Sequence, residues 1–256
     1  MNKTLVSILI CTIATLAPVY AGTPIDGKTI IVKLDEQQKF KTDIHSKVKL
    51  TQTKTGQGTK LIEMEYFRRD SDASFLICMQ APESDRGNGY LRTGDNMWMY
   101  RRNTRTFQHI NRDESIGGSD AKADDFETRK LDETYAPSLK DGKELLSEEM
   151  LGKMPAYKIE VHAIVNDVDY PKKIWWVSRD NNLLLKEEAY SSNGTLMQTG
   201  YYFKYTQINS RYVPIQQLFV DEFEKGNRTV VELSEIKTDK LDNAIFTKAY
   251  LEAQSK

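Results

Sequence analysis

Cysteine is almost absent, with two in 256 residues. Cys11 lies inside an apolar N-terminal run and Cys78 is the only other one, so loss of that run leaves no partner for an intramolecular disulfide. The core must then hold by packing alone. Histidine is also scarce: His45, His109 and His162 are dispersed and none sits in an HExxH pair, so zinc catalysis of that kind has no support and no metal or cofactor is implied. Excess charge of one sign is missing too. Charged residues make up 29% of the chain but cancel to a net −1, which argues against nucleic-acid binding driven by phosphate neutralisation. Beyond residue 21 no apolar run is long enough to span a bilayer. The seven prolines are scattered and mark no linker, so a single domain over 22–256 is expected.

Residues 1–21 carry one early lysine, an apolar run over 5–17 and small residues at Val19 and Ala21. That order is a secretory signal peptide cleaved after Ala21, and Gly22 stands where a lipoprotein would need cysteine. The mature chain is therefore expected to be exported and not membrane-spanning. Cys78, within Phe75-Leu76-Ile77-Cys78-Met79, reads as a buried thiol acting as a small hydrophobe.

The mature chain opens on a helix expected over 26–40, with Asp26 as N-cap and Ile30, Ile31 and Leu34 at helical spacing. The β-branched Ile30-Ile31-Val32 triplet also suits a strand, and periodicity alone leaves the two open. Two-residue alternation takes over at Lys47. Over 61–68, Ile62, Met64 and Tyr66 share a face opposite Glu63 and Glu65, and a one-residue slip would drive both carboxylates inward. Further strands are expected at 75–79, 89–92 and 97–110, then loop and short helix to residue 154. Strands resume at 156–165, 170–179, 183–190, 196–207, 211–221 and 229–237, with Asn193-Gly194 the strongest hairpin signal and a short helix at 244–251. About ten antiparallel strands in one domain favour a barrel or strongly curved sheet.

The succession GDNMWMY (94–100), GGSDA (117–121) and DDFE (124–127) resembles the outer-membrane lipoprotein-sorting protein family, the LolA-like periplasmic carriers. The resemblance extends through Gly89-Tyr90-Leu91-Arg92, Tyr170-Pro171, Trp176-Val177 and Tyr190 to Gly194, and covers roughly Lys47 to Leu251. Relatives carry Leu-Pro after the tyrosine and an aromatic after Ser-Asp, where this chain has Arg101-Arg102 and Ala121; these departures bear on ligand choice. The resemblance implies a mainly β (α+β) fold: an incomplete, strongly curved antiparallel β-barrel, with helices covering the open concave side. It also implies a periplasmic carrier of lipoprotein acyl chains or lipids, with no chemistry of its own. Its partners would be an inner-membrane exporter and an outer-membrane acceptor.

An apolar concave face suits acyl chains, each methylene leaving water for ~0.8 kcal/mol. Alternation selects Ile62, Met64, Tyr66, Phe75, Ile77, Met79 and Trp176 as cavity lining, and Trp98 joins them from the family-like motif. Met64, Met79, Met97 and Met99 suit an adaptable pocket, and equally a simple core. A Met64→Glu change is expected to abolish lipid recovery with the fold intact. The polar stretch 112–149, with Gly117 and Gly118 as hinge points, reads as a lid. Asp120, Asp124 and Asp125 lack the glycine and terminal glutamate of an EF loop. Gly117-Gly118-Ser119-Asp120-Ala121 lacks the second glycine of a nucleophile elbow. Two alternatives to the carrier stay open: a non-catalytic accessory subunit of an envelope exporter, and a lipid hydrolase using Ser119, His109 and an aspartate.

Overall fold

A computed structural model describes residues 25–111, 114, 116–118 and 130–255. The leader, Ser119 and the acidic stretch from Asp120 to Glu127 lie outside the described residues.

The first element is the helix α1 (Gly27–Gln38), capped as expected by Asp26, whose carboxylate accepts from the Thr29 amide at 2.7 Å. Twelve residues make a marginal helix in water. What holds α1 is its apolar stripe: Ile30, Ile31 and Leu34 are at most 3% exposed. Burying each contributes ~1.5–3 kcal/mol before the cost of ordering. The β-branched triplet thus serves a helix because Ile30 and Ile31 find an apolar partner surface on the sheet.

The chain then builds one side of a sheet outward: β1 (Ile44–Lys54), β2 (Gly58–Arg69), β3 (Ser74–Ala81), β4 (Gly89–Thr93), β5 (Asn96–Arg101) and β6 (Thr106–His109). The stretch expected as one strand over 97–110 is two, because Arg102 to Arg105 turn the chain, with Arg105 at φ 53°. After the single-turn helix α2 (Leu131–Thr134), the expected loop and short helix before residue 154 prove to be strands. They are β7 (Tyr135–Pro137), β8 (Leu139–Lys140), β9 (Lys143–Glu144) and β10 (Leu146–Leu151). The sequences of β8–β10 are mostly polar because they face water, and it is pairing with the neighbouring β11 (Met154–Ala163) that makes Leu146-Ser147-Glu148-Glu149-Met150-Leu151 a strand. The remainder is a meander of β12 (Lys172–Ser178), β13 (Leu184–Tyr190), β14 (Leu196–Ile208), β15 (Arg211–Asp221) and β16 (Arg228–Lys237), closing on α3 (Lys248–Gln254).

All pairings are antiparallel, and the order β10 through β16, then β1 through β6, places the two ends of the meander side by side at β16–β1. The sheet is curled and not closed, β6 and β10 ending it among the described residues. Directly paired residues point to one face. Following them, Ile62, Leu50, Val231, Gln217 and Tyr202 share a face, and so do Ile159, Trp175, Glu187, Gly200 and Phe219. Gln217 and Phe219 are two apart on β15, so these two rows form one concave wall. On it α1 covers β11 and β12 and reaches across to β15, as a helix can only inside a curved sheet. The convex face of β2–β5 is covered instead by α3 and the preceding turn Asn243–Phe246, through Phe246 and Leu251.

Gly89, at the start of β4, meets α3 closely: a Cβ there would lie 2.4 Å from Leu251 Cδ1 and 2.5 Å from the Ile77 carbonyl oxygen. One contact is backbone and cannot yield. Gly89→Ala is expected to cost about 1–3 kcal/mol by overpacking, read as a lower urea midpoint with unchanged slope. Wild-type stability would remove the close approach.

Candidate functional site

The concave wall over β1–β5 is one apolar cluster. Ile62, Met64, Tyr66, Phe75, Ile77 and Met79, the residues picked by alternation, belong to it, with Val48, Leu50, Tyr90 and Met97. The four methionines also meet there, Met99 packing partly buried beside Met64, Met79 and Met97. Among the six picked residues none exceeds 7% exposure. What seals them includes Ile116, fully buried in the same cluster at the head of the turn Ile116–Gly118. Gly117 carries that turn at φ 60° against the wall, where an added Cβ would come within 2.7 Å of Met79 Cε. Two hydrogen bonds fix it: the Gly117 amide donates to the Tyr90 hydroxyl at 2.9 Å, and Lys60 Nζ donates to the Gly117 carbonyl at 2.7 Å.

The two tryptophans fall elsewhere. Trp98 and Trp176 both point to the convex face and do not share the wall. Trp98 packs against the cluster of Leu76, Leu91 and Leu251, with Lys248 Nζ 4.2 Å over its ring. The Trp176 ring lies beneath Lys186 and Lys158 at 4.3 and 5.0 Å, and its Nε1 donates to Glu149. The inward indole is Trp175, 2% exposed under α1 and edge-on to Tyr135 at 5.6 Å. Pairing, not composition, separates the two: Trp175 opposes Ile159 and Trp176 opposes Lys158.

Between the two apolar ends the wall is made by β14–β16, and here it is only partly covered. Tyr202, Gln217, Phe219, Val231 and Leu233 are all of intermediate burial, and the Phe219 ring stands edge-on to Tyr202 at 6.1 Å. Gly200, beneath, leaves room for that ring: its absent Cβ would sit 3.2 Å from Phe219 Cε1. Neither this floor nor Trp175 was picked by alternation, although the period-two pattern of Gln217-Phe219 and Val231-Leu233 was available in the sequence. One ion pair interrupts the wall: Glu187 accepts from Lys173 Nζ at 3.0 Å and from Trp175 Nε1 at 2.6 Å. At the far end Arg68 pairs with Asp70 beside Tyr66, and burial pushes the Tyr66 hydroxyl up to about 12 against the opposing pull of Arg68.

Among the described residues, Cys78, His45 and His109 are buried or packed against aromatic rings. Burial, and then Glu65, pushes the Cys78 thiol up to about 12, so it stays protonated in neutral solution. His45 stacks on Phe67 at 4.2 Å and His109 lies edge-on to Trp98 at 6.0 Å. Ser119, the serine of the hydrolase alternative, is outside the described residues, as are Asp120, Asp124 and Asp125. Among the described residues no three His, Cys, Asp or Glu side chains are grouped to hold a metal, and no helix is long and apolar enough to cross a membrane.

A family model described as "Uncharacterized protein" matches residues 71–253. No curated protein matches the chain. Solved structures match it over nearly its whole length. A LolA superfamily protein from Nitrosomonas europaea has TM-score 0.73 and 22% identity, covering 89% of this chain and 100% of that one. A DUF1329 family protein from Desulfovibrio piger has TM-score 0.76 and 20% identity, covering 88% and 97%. A putative outer membrane lipoprotein-sorting protein domain from Vibrio parahaemolyticus has TM-score 0.76 and 16% identity, covering 88% and 98%. The LolA-like fold implied by the 94–127 motifs is therefore the fold of this chain.

Proposed function

The chain belongs to the family that this model of uncharacterized proteins describes, and on that premise, joined to its LolA-like fold, we propose that it is a non-catalytic carrier of acyl chains in the periplasm. The observation that carries the reading is the concave wall itself. It is apolar over two clusters, continuous through cross-strand pairs, and only partly covered on the floor of Tyr202, Phe219, Val231 and Leu233. An acyl chain on that floor would leave water at ~0.8 kcal/mol per methylene. To extend it over Ile62 and Met79, the Ile116–Gly118 turn must lift, which breaks the bonds from Lys60 and to Tyr90. Gly117 and Gly118 thus belong to the cover that a receptor would have to displace, and Ile62, Met64, Tyr66, Phe75, Ile77 and Met79 to the wall beneath it.

The similarity to a putative outer membrane lipoprotein-sorting protein domain from Vibrio parahaemolyticus supports lipoprotein acyl chains or a lipid as cargo. Export through a signal peptide cleaved after Ala21, one domain over 22–256, and an inner-membrane exporter and outer-membrane acceptor as partners complete the proposal. A second reading has its own observation: with six wall residues at 7% exposure or less, the curled sheet could be a filled barrel that binds only protein.

Organic extraction of the mature protein, purified from a double-membraned bacterium, followed by mass spectrometry separates them. Intact lipid in roughly stoichiometric amount is expected, since the floor is one continuous site. Lipid-free protein that also fails to take up a fluorescent fatty acid would leave the filled barrel, and cleaved lipid products would return the hydrolase.

A further inference from the structure

Among the described residues, part of the surface charge is held in ion pairs. Lys47 meets Glu235 at 2.7 Å, Lys49 meets Glu232 at 3.4 Å, Lys172 meets Glu160 at 3.3 Å, Arg179 meets Glu148 at 2.5 Å and Arg86 meets Glu83 at 2.8 Å. Such pairs cancel the field beyond a Debye length. The β5–β6 hairpin gathers three arginines that have no such partner among the described residues. Arg101, Arg102 and Arg105 are exposed, and among the described residues no carboxylate lies within ion-pair distance of any of them. The nearest acids in the 82–88 turn are committed, Glu83 to Arg86 and Asp85 to Lys60.

The turn is also fixed in place. The Arg102 amide donates to Asn88 Oδ1 at 3.0 Å, the Thr104 and Thr106 hydroxyls meet at 2.7 Å, and Arg105 holds φ 53°. Along the convex side of the same hairpin, Lys248 adds a fourth cation over the Trp98 and Phe107 rings at 4.2 and 5.3 Å, and both rings are only partly buried. Cations with partly exposed aromatics at their base are the combination that settles at a lipid–water interface.

We propose that this hairpin is a docking surface for an anionic phospholipid membrane, contacted through Arg101, Arg102 and Arg105. The three arginines are exposed at the end of β5 and in the turn that follows it, an arrangement that suits phosphates spread over a surface. The chain's net −1 supplies no broader basic face for nucleic acid. The position is apt: Arg101 ends the strand on which Met99 pairs with Tyr90, the residue that holds Gly117 over the wall. Docking here would bring the cover of the trough to the membrane. The proposal takes from the carrier reading only its reason for meeting a membrane; the charge geometry stands without it.

Sedimentation of the full mature chain with phosphatidylcholine vesicles, with and without phosphatidylglycerol, tests this. Binding is expected only with phosphatidylglycerol, falling as salt rises, and the triple variant Arg101→Ala, Arg102→Ala, Arg105→Ala should bind at least about tenfold more weakly. The corresponding triple lysine variant should keep most of the binding, and extracted lipid should be the same in all three proteins. Equal binding to both vesicle types, no binding to either, or full binding by the triple alanine variant would each overturn the proposal. A lipid-free extract with vesicle binding intact would defeat the carrier reading and leave this one standing.

Discussion

Phe219→Glu should yield protein that folds normally and carries little lipid. Phe219 lies on the partly covered floor of the trough, over Gly200 and against Tyr202, where a ligand chain would lie on its ring. Losing that contact removes about 2 kcal/mol of apolar burial, roughly thirtyfold in affinity, and a carboxylate facing the chain adds to the loss. The fold should tolerate the change because the site already meets solvent, so unfolding midpoints should move by less than about 1 kcal/mol equivalent. Phe203 supplies the control. It is one residue from Tyr202 but 52% exposed, at a break in the β14–β15 register, and Phe203→Glu should leave lipid content unchanged. Extraction and mass spectrometry of both variants decide the matter: equal lipid in Phe219→Glu and wild type would mean the floor is not the site. Met64→Glu is the poorer test despite its place on the wall. At 1% exposure the new charge would be buried without a partner, so lost lipid would report unfolding and not a lost contact.

That contrast marks how far the sequence reaches. Where one face of a strand is wet, alternation assigns both register and side. Glu63 and Glu65 stay outward while Ile62, Met64 and Tyr66 are buried, as expected from their spacing. The hairpin at Asn193-Gly194, the Asp26 cap and the strand over 211–221 were legible for the same local reasons. Where both faces are covered, alternation carries no side. Residues 74–79 are all buried, and so are Trp175 to Ser178, because α3 packs on one convex region while lysine stems and Glu149 cover another. Trp176 was misassigned to the cavity on this account, and Trp98 because the family-like motif that selected it names no face. The β7–β10 segment hid for the opposite reason. Its strands are short and mostly wet, with Tyr135 and Leu146 the main residues turned to the core, too few to print a pattern, and the pairing of β7 and β10 is set by β11, which follows them in sequence. The floor of β14–β16 was visible as strands but not as a site, since its mixture of Gln217, Phe219 and Tyr202 resembles any half-wet sheet until the curl turns it inward.

The adjacent tryptophans offer the sharpest stability test of that geometry. Trp175→Ala is expected to destabilise the protein by about 3–5 kcal/mol, the usual cost of emptying a large aromatic site in a core. Its ring is packed with Ile159, Val177 and the α1 residues Ile30 and Ile31, and no solvent can refill the space. Removing it also takes from Glu187 the indole donor at 2.6 Å and leaves Lys173 as the carboxylate's partner. Trp176→Ala should cost about half as much. The ring there is covered by lysine chains that can close over the gap, and each ammonium–ring contact at such a surface contributes about 0.5–1 kcal/mol. The two also differ in where they loosen the molecule. Because a twelve-residue helix has little stability of its own, loss of Trp175 should release α1 first, seen as faster amide exchange over Gly27–Gln38 than over β1–β3. Urea titration together with hydrogen exchange reads both effects. If Trp176→Ala costs as much as Trp175→Ala, or if α1 exchanges no faster in the Trp175 variant, then the helix does not depend on that indole and the inward face of β12 has been misjudged.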